Sequence, residues 1–157
     1  MTFRVQGPSF EMSSACAPIL HSLPQWFGIE EATAQYIRDI DSLPTLTAAA
    51  NDQVVGFLTL REHSEYAAEL HVMGVRPEHH RRGVGRALVI EAERHLDERG
   101  FEYLQVKTLS PSHPDKNYAR TREFYRAMGF RPLEEFKDLW GEAHPCLQMV
   151  KRIGKAV

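Results

Sequence analysis

Between Val75 and Leu88 the chain reads V-R-P-E-H-H-R-R-G-V-G-R-A-L: the end of an apolar strand, a basic turn with two glycines, and the start of an amphipathic helix. No other stretch restricts the fold as much. A glycine-softened turn between strand and helix lets backbone N–H groups approach an anion with no Cβ in the way, and the helix N-terminus adds positive partial charge. Arg76, Arg81, Arg82 and Arg86 supply permanent cations able to hold phosphate through paired contacts. The pattern by itself fits either a pyrophosphate seat opening a helix or a glycine-softened turn opening a helix under a solvated basic face. Two common seats are disfavoured by the residues themselves. A P-loop needs G-x-x-x-x-G-K-[ST], which is absent. A dinucleotide turn needs a small third residue where Leu88 stands, and an acid about twenty residues on, where the next strand offers Gln105.

The rest of the chain supplies a frame for that turn. A short strand at Phe3–Gln6 leads into a helix over Ser13–Leu23, and a second helix fits Glu30–Asp41, with acids in its first turn and Pro44 just past its end. Thr45–Ala50 and Val54–Leu60 are apolar, β-branched runs separated by Asn51-Asp52-Gln53, and they predict a hairpin. Glu69–Val75 predicts another strand, in which Gly74 signals a bulge or a close backbone approach. Val84, Leu88, Ala92 and Leu96 recur every four residues, giving a helix that stops at Gly100. A strand follows at Phe101–Thr108, then the loop S-P-S-H-P-D. A helix over Tyr118–Met128, with Asn117 as N-cap and Gly129 after its end, precedes strands at Phe130–Phe136 and Cys146–Lys151. The order β-α-α-β-β-β-α-β-α-β-β predicts a mixed α/β (α+β) layered fold in one domain over residues 1–157.

At these residues the chain resembles the GCN5-related N-acetyltransferase (GNAT) superfamily. The family's acyl-CoA signature ends a strand with Val-x-Pro and opens a helix with [Q/R]-x-x-G-x-[G/A]. Here Val75-Arg76-Pro77 is followed by His80-Arg81-Arg82-Gly83-Val84-Gly85. A second element, F-Y-x-x-x-G-F, is present as Phe124 to Phe130, one strand and one loop after the first helix. The element order matches from Phe3 to Lys151. Two departures stand out: His80 occupies the first signature position, and Tyr118 and Thr121 replace the family's N-x-x-A.

The resemblance implies a central, mostly antiparallel sheet with one strand splayed at a bulge, flanked by helices. It implies direct attack of an amine on acetyl-CoA in a ternary complex, with acetyl-CoA as cosubstrate. Met73, Gly74 and Val75 would pair with the pantetheine arm and polarise the thioester carbonyl. His80, Arg81, Arg82, Gly83, Val84, Gly85 and Arg86 would hold the pyrophosphate, with Tyr118 beside the arm. Tyr125 matches the tyrosine that protonates the departing thiolate; a phenol, with a reference pKa of about 10, still has its proton at neutral pH. Glu69, fourteen positions before Gly83, matches the glutamate base of the histone-acetyltransferase branch. His71 shares its strand face and is a rival base or a partner through water. The first two helices and the last loop would wall the acceptor with Trp26, Phe27, Tyr36, Trp140, Glu30, Glu31, Asp39 and Asp41, a lining suited to a cationic amine. The acceptor is expected to be a small molecule or a peptide, and the last strands could extend a sheet across a homodimer.

Composition narrows the alternatives. Nineteen Lys+Arg against 21 Asp+Glu give a net charge of -2, so no general field holds nucleic acid or an anionic membrane, and any phosphate site is local. No apolar run approaches the ~18 residues of a membrane span, and the N-terminus lacks a signal peptide's apolar stretch; a cytoplasmic protein is expected. Cys16 and Cys146 form no CxxC pattern and are expected as buried free thiols. The histidines show no ligand spacing, so no metal is expected. From a different class, a module that binds acetyl-CoA as a sensor without turnover fits the same loop.

Overall fold

The structure is a computed structural model that describes residues 2–154. Its elements run β1 (Arg4–Ser9), α1 (Ser13–His21), α2 (Glu30–Ser42), β2 (Thr45–Ala50), β3 (Gln53–Glu62), β4 (Ala67–Val75), α3 (Val84–Glu98), β5 (Tyr103–Leu109), α4 (Lys116–Ala127), β6 (Arg131–Phe136) and β7 (Cys146–Arg152). A 3-10 turn at Pro77–His79 precedes α3. The predicted mixed α/β order is the observed one. The chain divides into two compact units, one made of the residues up to Arg61 with His71–His95, the other of Glu62–Leu70 with the residues from Leu96 on.

In the first unit β1 pairs with β2 and β2 with β3, both antiparallel. The β2–β3 register shifts between Ala48 and Ala49, placing an extra β3 residue opposite that step. Val55 to Leu60 are all buried, as a β-branched and apolar run covered on both faces requires. Helix α1 contributes Cys16, Ile19 and Leu20, which pack with Leu23, Ile40 of α2, Phe57 of β3 and Val72 of β4. Full burial of each such Ile, Leu or Phe side chain is worth about 1.5–3 kcal/mol. Two polar contacts set the helices: Asp41 Oδ1 accepts from the Ser13 N–H at 3.0 Å, opening α1, and Thr33 Oγ1 donates to the Phe27 carbonyl at 3.0 Å, fixing the entry to α2.

In the second unit the first part of β4 pairs with β5, β5 with β7, and β7 with β6. The β4–β5 pair is parallel and the other two are antiparallel. Its register runs from Ala67↔Tyr103 to Leu70↔Val106, while β4 itself goes on to Val75 and β5 to Leu109. Helix α4 begins at Lys116, ahead of the Tyr118 start that the sequence suggests, and Asp115 rather than Asn117 caps it. The Asp115 carboxylate accepts from the N–H groups of Asn117 and Tyr118 at 2.9 and 3.1 Å. A carboxylate has the charge that a helix N-terminus favours, so the acid takes the cap from the neighbouring amide. At its other end Gly129 (φ 100°) lets the Phe130 N–H return to the Tyr125 carbonyl at 3.0 Å. Lys151 Nζ donates to the Met128 carbonyl at 2.6 Å. Both cysteines are buried free thiols.

Candidate active site

The turn ahead of α3 is built from β3 upward. Arg76 donates its backbone N–H to the Val55 carbonyl at 2.8 Å and its Nε to the Val54 carbonyl at 3.1 Å, so this arginine anchors the turn to β3 through part of its guanidinium. Pro77 starts the 3-10 turn, and the N–H groups of His79 and His80 close it on the Arg76 and Pro77 carbonyls. His80 then folds its ring back: Nε2 donates to the Val75 carbonyl at 2.7 Å, and Trp26 meets the ring edge-on with centroids 6.0 Å apart. The His80 side chain is thus committed to bracing the loop.

Past His80 the backbone takes the form of an anion cradle. Arg81 lies at φ 61° and Gly83 at φ 83°, two left-handed residues separated by one. A Cβ on Gly83 would meet nothing within 4 Å, so the glycine faces open space. The first i→i+4 bond of α3 runs from the Ala87 N–H to the Gly83 carbonyl at 3.0 Å, leaving the amides just ahead of it without a helical partner by geometry. Arg81, Arg82 and Arg86 are exposed. Among the described residues none of the three makes a hydrogen bond or ion pair. Open amides, a helix N-terminus and three unengaged cations suit a diphosphate.

Two glycines let this turn sit where it does. A Cβ on Gly56 of β3 would lie 2.8 Å from Val84 Cγ1 and 3.3 Å from Val75 Cγ2. Gly56 therefore makes room for the first residue of α3, a role that sequence reading missed; the signal was a lone glycine inside a β-branched strand. Gly74 is a close-approach glycine: its Cβ would crowd Phe57, Ile19 and Leu23 at 3.1–3.3 Å.

Along β4, Leu70, Val72 and Gly74 are buried while His71, Met73 and Val75 are half-buried, the alternation expected of a strand. His71 Nε2 lies 2.8 Å from Asp39 Oδ2. Its ring meets Tyr36 at 5.5 Å and 66°, and Tyr36 meets Phe27 at 5.9 Å and 88°. Asp39 also accepts from Gln35 Nε2 at 2.8 Å and faces Arg61 at 3.7 Å. Burial pushes its carboxyl up, but hydrogen bonds from Gln35 and His71 and the charges of His71 and Arg61 outweigh that and hold it below the ordinary range. Of the other acids expected near an acceptor, Glu30 and Glu31 are exposed in the first turn of α2, and Asp41 is occupied in capping α1.

The second unit holds the remaining expected residues. Glu69 is only 6% exposed, so it is not the solvated strand glutamate that its type suggests. Its Oε1 takes part in a 2.6 Å bond with His63 Nε2, and Lys107 Nζ reaches both carboxylate oxygens at 3.1 Å. Tyr125 is 6% exposed on α4, edge-on to Phe124 and Phe130 with centroids 5.5 and 5.6 Å apart. Tyr118 is half-buried in the first turn of α4, and Trp140 is exposed. Among the described residues no three His, Cys, Asp or Glu side chains group as a metal site, and no helix is long and apolar enough to cross a membrane.

Comparison with known proteins places these features. The profile of the acetyltransferase (GNAT) family matches residues 14–130. No curated protein matches the sequence. Among solved structures, a GNAT-family protein from Desulfovibrio desulfuricans superposes with a TM-score of 0.83 at 17% identity, covering 96% of this chain and 99% of that one. The ribosomal-protein-S18-alanine N-acetyltransferase from Escherichia coli gives 0.79 at 17% identity, with 99% and 97% covered. The PaiA N-acetyltransferase from Thermoplasma acidophilum, solved in complex with coenzyme A, gives 0.73 at 20% identity, with 97% and 99% covered. Likenesses at such identities speak for the fold.

Proposed function

The chain belongs to the GNAT family of acetyltransferases, and from that premise we propose that it transfers the acetyl group of acetyl-CoA to a primary amine of a small molecule or peptide, by direct attack within a ternary complex. The observation that carries the proposal is the turn at Arg81–Arg86: open Gly83 at φ 83°, opening a helix, beside three exposed arginines. A solved neighbour holding coenzyme A, and another named for the alanine of a ribosomal protein, support the cosubstrate and the amine class. The family profile spans residues of both compact units, which supports reading 1–157 as one catalytic domain.

In this reading the amides of Gly83, Val84 and Gly85 hold the pyrophosphate, and Arg81, Arg82 and Arg86 neutralise it; His80 contributes by bracing the loop. The backbone of Met73, Gly74 and Val75, on the stretch of β4 past Leu70, takes the pantetheine arm together with Tyr118. An N–H there polarises the thioester carbonyl as the amine nitrogen bonds to its carbon. The carbon–sulfur bond then breaks, and the sulfur takes the Tyr125 phenolic proton. Loss of a positioned acid costs a factor of about 10² to 10⁴ in rate. The amine also needs a base, for which β4 offers Glu69 and His71.

The test is release of CoA thiol from acetyl-CoA in the presence of spermidine, kanamycin or a hexapeptide beginning with alanine. The expected result is turnover with at least one of them, and a Tyr125→Phe variant that keeps acetyl-CoA affinity while kcat falls by about 10² to 10⁴. Tight acetyl-CoA binding with no thiol release for any amine would replace the enzyme with a sensor. In that case the close packing of Tyr125 between Phe124 and Phe130 would be its whole role.

A further inference from the structure

We infer that His71 is the base that takes the acceptor's proton and that Asp39 is the residue that positions it; the inference rests on the acetyl-transfer reading above. A histidine ring bound to a carboxylate through one nitrogen has its tautomer fixed. In the neutral ring, with Asp39 Oδ2 at 2.8 Å, Nε2 carries the proton and Nδ1 the lone pair. Among the described residues Nδ1 has no hydrogen-bond partner. Both side chains are 17% exposed, so the pair is sheltered yet within reach of a small polar group.

The orienting carboxylate is itself held. Gln35 occupies its other oxygen at 2.8 Å, Arg61 stands at 3.7 Å, and Tyr36 closes on the ring edge-on at 5.5 Å. A base with a partner on its far nitrogen and an aromatic wall on its face is pre-oriented for one proton transfer. The strand supplies the placement: His71 and Met73 lie on the same face two residues apart, roughly 7 Å along the strand. That spacing admits an amine nitrogen, or a single water, between the ring and the backbone proposed to hold the thioester.

Glu69, the other candidate, is differently placed. Lys107 engages both of its oxygens and His63 one of them, and it is 6% exposed, so it would have to give up those contacts to accept a proton. In the balanced step the ammonium gives a proton to His71 Nδ1, directly or through one water, and the imidazolium faces Asp39. The freed lone pair forms the N–C bond, the C–S bond breaks, and sulfur takes the Tyr125 proton. The new amide nitrogen sheds its second proton to water, His71 returns its own to solvent and Tyr125 regains one from solvent, so the net step releases one proton.

The experiment uses the amine most rapidly acetylated among spermidine, kanamycin and the alanine-headed hexapeptide. His71→Ala is expected to lower kcat by about 10² to 10⁴ with acetyl-CoA affinity unchanged, and added imidazole to restore at least tenfold of the loss. Asp39→Asn is expected to lower kcat by about tenfold or more in the parent, yet to cause no further loss in the His71→Ala background, because groups that act as a unit are not additive. A merely structural Asp39 would give losses in kcat that add in the two backgrounds. Should His71→Ala fail to fold, His71→Asn keeps most of the bulk and is read the same way. Retention of kcat within threefold in these variants, or a loss on Glu69→Gln alone, would overturn the assignment while leaving acetyl transfer intact. No acetylation of any of the three amines by the parent protein would overturn both.

Discussion

Gly83 is the residue on which the proposed cosubstrate site turns, since its left-handed φ and its open surroundings are separate demands that only glycine meets together. Gly83→Ala is predicted to cost about 1–2 kcal/mol in backbone strain and to put a methyl group in the seat proposed for the diphosphate. The expected outcome is a Tm lowered by a few degrees and an acetyl-CoA Kd weakened by about tenfold, roughly 1.4 kcal/mol, in calorimetric titration. Asp39 makes a prediction about acid. Its carboxyl is held below the ordinary range, so its contribution to stability is complete above the unfolded value of about 4 and is lost as pH falls through the lower folded value. The difference in urea midpoint between the parent and Asp39→Asn should therefore shrink on acidification below pH ~4. A difference that grows there would contradict the carboxylate contacts. Cys16 makes the opposite prediction at high pH. Burial, with the charge of Asp41, pushes its thiol up to about 12. Below the unfolded value of about 8.5 the thiol has no influence on pH dependence; above it the unfolded state ionises first, so stability falls until the folded value is passed. In the native protein at pH 8, Ellman's reagent should leave Cys16 unreacted until urea unfolds the chain.

At the scale of elements, α4 depends on one cap and α3 on one glycine beneath it. Asp115→Ala removes the acceptor for two amides and is expected to cost about 1 kcal/mol, read as a lower Tm. Gly56→Ala drives a Cβ to within 2.8 Å of Val84; overpacking of this kind costs about 1–3 kcal/mol, and here it should also weaken acetyl-CoA binding by displacing the first turn of α3. These two cases mark what the sequence makes legible. Helices α3 and α4 are visible because apolar residues recur on one face and Gly100 and Gly129 end them, both at positive φ as expected. The cap of α4 is not, because Asp115 and Asn117 are both good caps and the choice between them is made by local backbone geometry. Gly74 reads as a bulge or a close backbone approach, whereas what crowds it is the side chains of Phe57, Ile19 and Leu23, the last two from a distant part of the sequence. The same limit applies in the site. The signature turn is contiguous and reads directly, whereas Asp39 and His71 are 32 residues apart and Glu69 and Lys107 are 38 apart. No local pattern announces either pair.

For the molecule as a whole, charge and fold work at different ranges. A net charge of -2 gives no long-range attraction to polyanions, so in the proposed reading the arginines of the turn would act only on a ligand already seated against the helix. Binding to mixed-sequence DNA or RNA at ~0.15 M salt should accordingly be negligible. The family profile covers residues 14–130, from α1 through the end of α4, and so includes both the turn and Tyr125. The seat for acetyl-CoA is the claim on which every catalytic role depends. Calorimetric titration with acetyl-CoA, with NAD and ATP as controls, tests it most directly, followed by melting at about 100 times the measured Kd. There linkage predicts about 2.7 kcal/mol of stabilisation and a rise in Tm of roughly 5–11 °C. Selective binding of acetyl-CoA, weakened by Gly83→Ala, is the predicted result. Heats no larger than those for NAD and ATP, with no shift in Tm, would contradict an acetyl-CoA seat and reduce the Val75–Leu88 turn to the basic start of a helix.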